Sequence, residues 1–215
     1  MSPRIVLIVA RLFFGVLTLV AVGTQLVIHL GNGYDVVNFF SYFTNLSNLF
    51  AAVVLLVAAA HLITGKEGTR TGDIIRGSSV VCMALVGIVF SALLREVDLG
   101  SLLPWINTVL HYVMPVVIVL DWLVQPPQRP MAYSRLWVWL LPPVLYLAYS
   151  LIRGAAINWY AYPFLNPDTS GGYGPVAATC LGITVAFLAV SVVLAVAANK
   201  LRPLVRTGSP ALQPA

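Results

Sequence analysis

Six apolar stretches follow one another along this chain, and they limit what it can fold into. They cover about residues 5–30, 36–63, 74–94, 102–124, 136–152 and 175–198. A helix needs about 20 such residues to cross the hydrocarbon of a bilayer. Between them stand Gly31-Asn32-Gly33, Thr64-Gly65-Lys66, Gln125-Pro126-Pro127 and Ser170-Gly171-Gly172, which are turn and helix-breaking combinations. The expected architecture is all-α: a polytopic membrane protein, a bundle of six transmembrane helices.

Composition closes off the alternatives. Of 215 residues only 12 are Lys or Arg and 7 are Asp or Glu, 9% in all, and 60% are hydrophobic. Soluble domains carry about 25% charged residues. A soluble globular protein, a disordered chain and a nucleic-acid binder are thereby excluded. The expected organisation is one transmembrane domain over residues 1–202 and a flexible cytoplasmic tail over 203–215. The first stretch reads as a retained helix, because its apolar run is too long for a signal peptide and no small-residue cleavage site follows. No internal repeat argues for a transporter built from two halves. Cys82 and Cys180 lie inside apolar stretches and define neither a disulfide framework nor a metal spacing. No metal and no cofactor are expected.

The net charge of +5 reads as topology. Arg4, Arg11, Lys66, Arg70, Arg76, Arg129, Arg135, Lys200, Arg202 and Arg206 fall on the side of the N-terminus, and only Arg95 and Arg153 on the other. Both termini are expected in the cytoplasm, in the plasma membrane of a bacterium. Arg11 is expected to snorkel its head to the nearby interface.

Polar side chains at membrane depth each need a reason. At 100° per residue, Ser41, Thr44, Asn45, Ser47 and Asn48 share an arc of roughly 160° on the second helix, opposite Tyr42, Leu46, Leu49 and Phe50. Such a stripe is either hydrogen-bonding glue between helices or a chemical site. On the fourth helix Asn107 and His111 share a face, and Pro115 cannot donate to the His111 carbonyl, so a kink is expected there. His111 is either a satisfied core histidine or part of a site. Thr44 and His111 each lie eight or nine residues past the outer start of their helices, roughly 12–14 Å in. If the two helices are neighbours, hydroxyl and imidazole can meet, the general arrangement of an activated nucleophile. Gln25 and His29 share a face of the first helix and either line the same cavity or reach interfacial water. Asp121 is about 15 Å deeper than His111 and is expected to pair with a base such as Arg129 or to hold the helix end.

These residues resemble a known family. Trp105-Ile106-Asn107 with His111, Pro115 and Asp121 is similar to the central motif of the androgen-induced-gene and androgen-dependent TFPI-regulating protein family, and of six-pass bacterial membrane proteins related to it. Tyr162-Pro163-Phe164-Leu165 resembles the family's stretch before its last helix, and Thr44 stands where the family places a threonine. The resemblance implies a membrane threonine hydrolase that cleaves fatty-acid esters of hydroxy fatty acids, with Thr44 as nucleophile and His111 as base. Asn45, Asn48 and Asn107 are candidate oxyanion donors, with Gln25 and Tyr112 as further substrate-binding candidates and Ser47 as a rival hydroxyl. The partner expected is a membrane lipid substrate. The alternatives are a non-enzymatic protein that binds or transports a lipid or small polar solute, and a structural subunit.

Overall fold

The computed structural model describes residues 2–66, 68–98 and 100–208, and among these every regular element is helical. Six helical spans are long and apolar enough to cross a membrane: Pro3–Gly31, Phe43–Thr64, Arg70–Leu94, Pro104–Val124, Tyr133–Ile157 and Tyr173–Pro203. They correspond in order and approximate extent to the six apolar stretches. The elements are α1 (Pro3–Gly31), α2 (Val36–Phe40), α3 (Phe43–Thr64), α4 (Arg70–Val89), α5 (Pro104–Thr108), α6 (Met114–Val124), α7 (Trp137–Ile157), α8 (Pro167–Ser170) and α9 (Tyr173–Gly208). Two π-helical turns, Phe90–Leu94 and Val109–Val113, extend α4 and join α5 to α6. The backbone of α9 runs into the expected tail as far as Gly208, and residues 209–215 lie outside the described residues.

Local chemistry explains the helix ends. Ser2 caps α1 by accepting from the Ile5 amide, with Pro3 at the first helical position. Gly65, at φ 67°, closes α3 in the left-handed conformation. Thr69 caps α4 by accepting from the Gly72 amide.

Helix α4 is central: it packs against α3, α6, α7 and α9, and 61% of its most apolar window is buried, against 11% for the span containing α7. Small residues allow close approach, as expected between membrane helices. A Cβ at Gly77 would sit 2.1 Å from the Trp139 ring, and one at Gly15 would sit 2.9 Å from Leu56. Trp139 anchors α7 to α4 by donating its indole N–H to the Ile74 carbonyl at 2.9 Å. Exposed Val144, Leu145 and Ile152 leave most of α7 facing outward.

Three expectations are corrected. Arg11 does not snorkel. It is 2% exposed and grips Asp121 with two parallel bonds, Nε to Oδ1 at 2.6 Å and Nη2 to Oδ2 at 3.1 Å. Asp121 therefore pairs with Arg11 and with Arg76, whose Nη2 lies 3.1 Å from Oδ2, and not with Arg129. The physical reason is desolvation: a carboxylate this deep needs charged donors at bonding distance, and α1 and α4 bring two. The second membrane segment is also not one helix. It breaks at Ser41-Tyr42 between α2 and α3, where Asn45 Nδ2 bonds the Phe39 carbonyl at 2.8 Å and holds the corner.

Candidate active site

The break changes the position of Thr44. It stands second in α3 instead of two turns into a helix, so helical rise does not measure its depth. The first amides of a helix have no intrahelical acceptor and carry the positive end of its dipole. Thr44 N–H donates instead to the Tyr162 hydroxyl at 3.2 Å, and Thr44 Oγ1 lies 3.4 Å from the same oxygen. A phenol that accepts the amide proton has its own proton left to give. Directed at Oγ1, that proton turns the threonine's hydrogen away from Tyr162.

Tyr162 precedes the short 3-10 turn Pro163–Leu165 in the α7–α9 connection. It is buried, stacked on Phe164 with centroids 5.2 Å apart and edge-on to Tyr42. Burial raises its pKa above the ordinary tyrosine value, which keeps it a neutral donor.

His111 sits in the π turn Val109–Val113. The proline that denies the His111 carbonyl its usual donor is accommodated by this wider turn, in which Met114 N–H reaches back to the Val109 carbonyl. Such insertions often mark functional sites. Gly87 of α4 leaves room for Pro115: a Cβ there would lie 3.0 Å from the proline ring. The imidazole stacks on Phe90 with centroids 3.9 Å apart, and Nδ1 lies 3.3 Å from the Asn107 carbonyl. A proton on Nδ1 leaves Nε2 as the basic nitrogen.

Thr44 and His111 border one cavity of about 570 Å³, together with Gln25, His29 and Asn45. No hydrogen bond joins Thr44 to His111. What ties their helices together is Asn48, fully buried, whose Nδ2 donates to the Thr44 carbonyl at 2.9 Å and to the Leu110 carbonyl at 3.1 Å. Both its N–H groups are thus used, and it has none to offer an oxyanion. Asn45 keeps one N–H after bonding Phe39. Gln25 reaches the Ser101 carbonyl at 3.4 Å. Ser47 is buried away from this cavity, with an Oγ that bonds none of the described residues. Asn107 supplies its backbone carbonyl to His111 and is not on the cavity wall, and Tyr112 is exposed on the far side of the π turn.

A second, apolar cavity of about 100 Å³ lies between α4, α7 and α9, bordered by residues such as Leu85, Leu147 and Phe187. Thr44, Phe90, Leu94 and Tyr162 belong to both walls. Thr44 therefore stands where a chamber of mixed, more polar lining meets an apolar one. Tyr162 is the site residue that sequence reasoning passed over: its only signal was its place in the Tyr-Pro-Phe-Leu stretch. Compared with protein-family models, curated proteins and solved structures, the chain matches none.

Proposed function

We propose that the protein is an intramembrane hydrolase of lipid esters, with Thr44 as nucleophile and His111 as general base. The observation that carries this reading is the position of Thr44 on the shared wall of a polar and an apolar cavity, with His111 on the polar side. An amphiphilic ester divides itself in the same way. The first few methylenes of its acyl chain fit the apolar cavity, its polar part the larger chamber, and its carbonyl the wall between them. In the reaction, His111 Nε2 takes the Thr44 proton as Oγ1 attacks the carbonyl carbon. The imidazolium returns the proton to the departing alkoxide, leaving an acyl-threonine. Water from the larger chamber, deprotonated by the same imidazole, then attacks the acyl carbon, and the imidazolium returns that proton to Thr44 Oγ1 as the bond to the acyl carbon breaks and the acid leaves. Tyr162 and the positive end of α3 stabilise negative charge at Thr44, and Asn45 is the remaining oxyanion candidate. Nucleophile–base bonds are often long without substrate and tighten in the complex, which fits two groups that share a cavity without touching. The substrate proposed is a long-chain ester of the fatty-acid ester of hydroxy fatty acid type, and the membrane a bacterial plasma membrane.

Labelling by a fluorophosphonate probe in detergent tests this. Wild type and Ser47→Ala are expected to label, while Thr44→Ala loses labelling and His111→Ala falls by about 10²–10⁴ in rate, the usual worth of a general base. Folded, monodisperse wild type that takes no label, or Thr44→Ala that still does, would overturn the reading. The direct partnership of Thr44 with Tyr162 instead of His111 favours the second reading, a lipid-binding protein in which Thr44→Val weakens binding and no covalent adduct forms.

A further inference from the structure

At the opposite end of the bundle, beside the N-terminus, a cavity of about 360 Å³ lies along α3 and α4. Its wall changes character along its length. Phe50, Val53, Val57 and His61 of α3 line it at helical spacing, a path of about 16 Å at 1.5 Å per residue. The deep end is apolar. The outer end carries Arg76, Lys66 and Arg202, with Arg11 behind and Thr69 and Gly72 at the start of α4.

The charges of this region do not cancel. Arg11 and Arg76 share a single carboxylate, Asp121. Asp73 also borders the slot and interacts with Arg76, but it is shared with Arg129 and, on its other side, borders Arg70 and Arg135 as well, so two carboxylates stand against four slot cations. Lys66 and Arg202 enter no ion pair with any described residue. Among the described residues Arg76 spends only Nη2, on Asp121 and the Gln125 carbonyl, which leaves Nε and Nη1 to a ligand. Arg76 and Arg202 are half-buried while Lys66 is exposed at the mouth; a cation held partly out of water without a counter-charge, as Arg202 is among the described residues, is costly, and topology alone requires basic residues near the membrane surface but no slot shaped around them.

We infer that this slot binds an anionic glycerophospholipid, its phosphate held by Arg76, Lys66 and Arg202 and an acyl chain laid along Phe50, Val53 and Val57. The commitment to a lipid over a soluble phosphate rests on the apolar depth, which a free anion would leave empty. The site is separate from the Thr44–His111 cavity and stands independently of the proposed hydrolase.

The test uses full-length protein in detergent with short-chain phosphatidylglycerol, followed by native mass spectrometry and thermal shift. Short-chain phosphatidylcholine and glycerol 3-phosphate are the comparison ligands. One phosphatidylglycerol is expected per protein, with a saturable rise in Tm. Lys66→Gln and Arg202→Gln are each expected to weaken it about tenfold, the worth of one charged hydrogen bond. Neither side chain bonds another described residue, so both variants are expected to retain the fold. Val53→Trp, at an exposed position on the slot wall, blocks the apolar path and weakens the lipid with no change of charge. Equal binding of phosphatidylcholine, an equal shift from glycerol 3-phosphate alone, or undiminished binding by the Lys66→Gln, Arg202→Gln double variant would overturn the inference.

Discussion

Tyr162 carries two bonds to one residue, so its hydroxyl is the most informative atom to remove. Tyr162→Phe leaves the Thr44 amide without its acceptor at 3.2 Å, and an unmet buried donor costs about 1–3 kcal/mol. The expected result is a lower Tm together with fluorophosphonate labelling slowed about tenfold, the equivalent of one lost hydrogen bond; unchanged labelling would remove Tyr162 from the site. The phenol also gives a pH signature. Burial raises its folded pKa above 10.0, whereas in the unfolded chain it ionises near 10. Below pH 10 both states keep the proton and Tyr162 adds no pH dependence. Above it the unfolded state binds fewer protons and stability falls with rising pH. Wild type should therefore lose Tm more steeply above pH 10 than Tyr162→Phe, while the other tyrosines affect both alike. Asp121 supports a second prediction. Asp121→Asn strands Arg11 and Arg76 together without a carboxylate, and breaking a buried ion pair costs about 3–5 kcal/mol. Denaturation in detergent should show a loss of that order for Asp121→Asn and little change for Arg129→Gln, the reverse of what an Asp121–Arg129 pair would produce.

Among the elements, α7 has the weakest hold on the bundle and borders the apolar cavity through Pro143, Val144, Tyr146 and Leu147. Its attachment to α4 runs through Trp139, seated on Gly77 and bonded to Ile74, while Tyr146 and Tyr149 bond Ser41 and Arg153 bonds Asn38 towards its other end. A methyl at Gly77 would overlap that ring, and such overpacking costs about 1–3 kcal/mol. Gly77→Ala should lower Tm and make labelling at Thr44 more sensitive to the detergent, because α7 forms one wall of the apolar cavity; an unchanged Tm would mean that Trp139 does not anchor α7 to α4. The elements differ in how much of them the sequence reveals. The six spans are legible because each must satisfy its backbone internally and show an apolar surface to lipid, and that requirement is written in every residue. The inward turn of Thr44, Asn45, Ser47 and Asn48 is legible for the same reason, and all four are buried. The break before α3 is not: Ser41-Tyr42 contains no Gly or Pro, and the corner depends on Asn45 reaching back to Phe39. Pro115 signals a disturbed helix, but whether that becomes a bend or a π turn depends on the space Gly87 leaves on a different helix. Tyr162 and the Arg11–Asp121 pair are partners across 118 and 110 residues, and no local pattern contains them.

For the whole molecule, the two cavities at opposite ends make orientation the property that decides what each one meets. Ten basic residues lie on the side of the N-terminus and two on the other by position in the sequence. Arg11 and Arg76 belong to the ion cluster at Asp121 more than to a loop, and setting them aside still leaves eight against two. Of those two, Arg153 bonds Asn38 at 2.7 Å and lies over the Trp159 ring, so it too is held within the bundle. Positive charge is retained on the cytoplasmic side during insertion, and an even number of spans keeps both ends together. We therefore expect a C-terminal green fluorescent protein fusion to fluoresce and a C-terminal alkaline phosphatase fusion to be inactive in bacterial cells. That orientation places the basic slot against the cytoplasmic leaflet, whose anionic lipids attract clustered Lys and Arg, and opens the Thr44–His111 chamber to the outer face, from which the proposed hydrolase would draw water and to which it would release acid. An active phosphatase fusion would reverse both assignments together: the slot would face the outer leaflet, and the proposed hydrolase would release its product inside the cell.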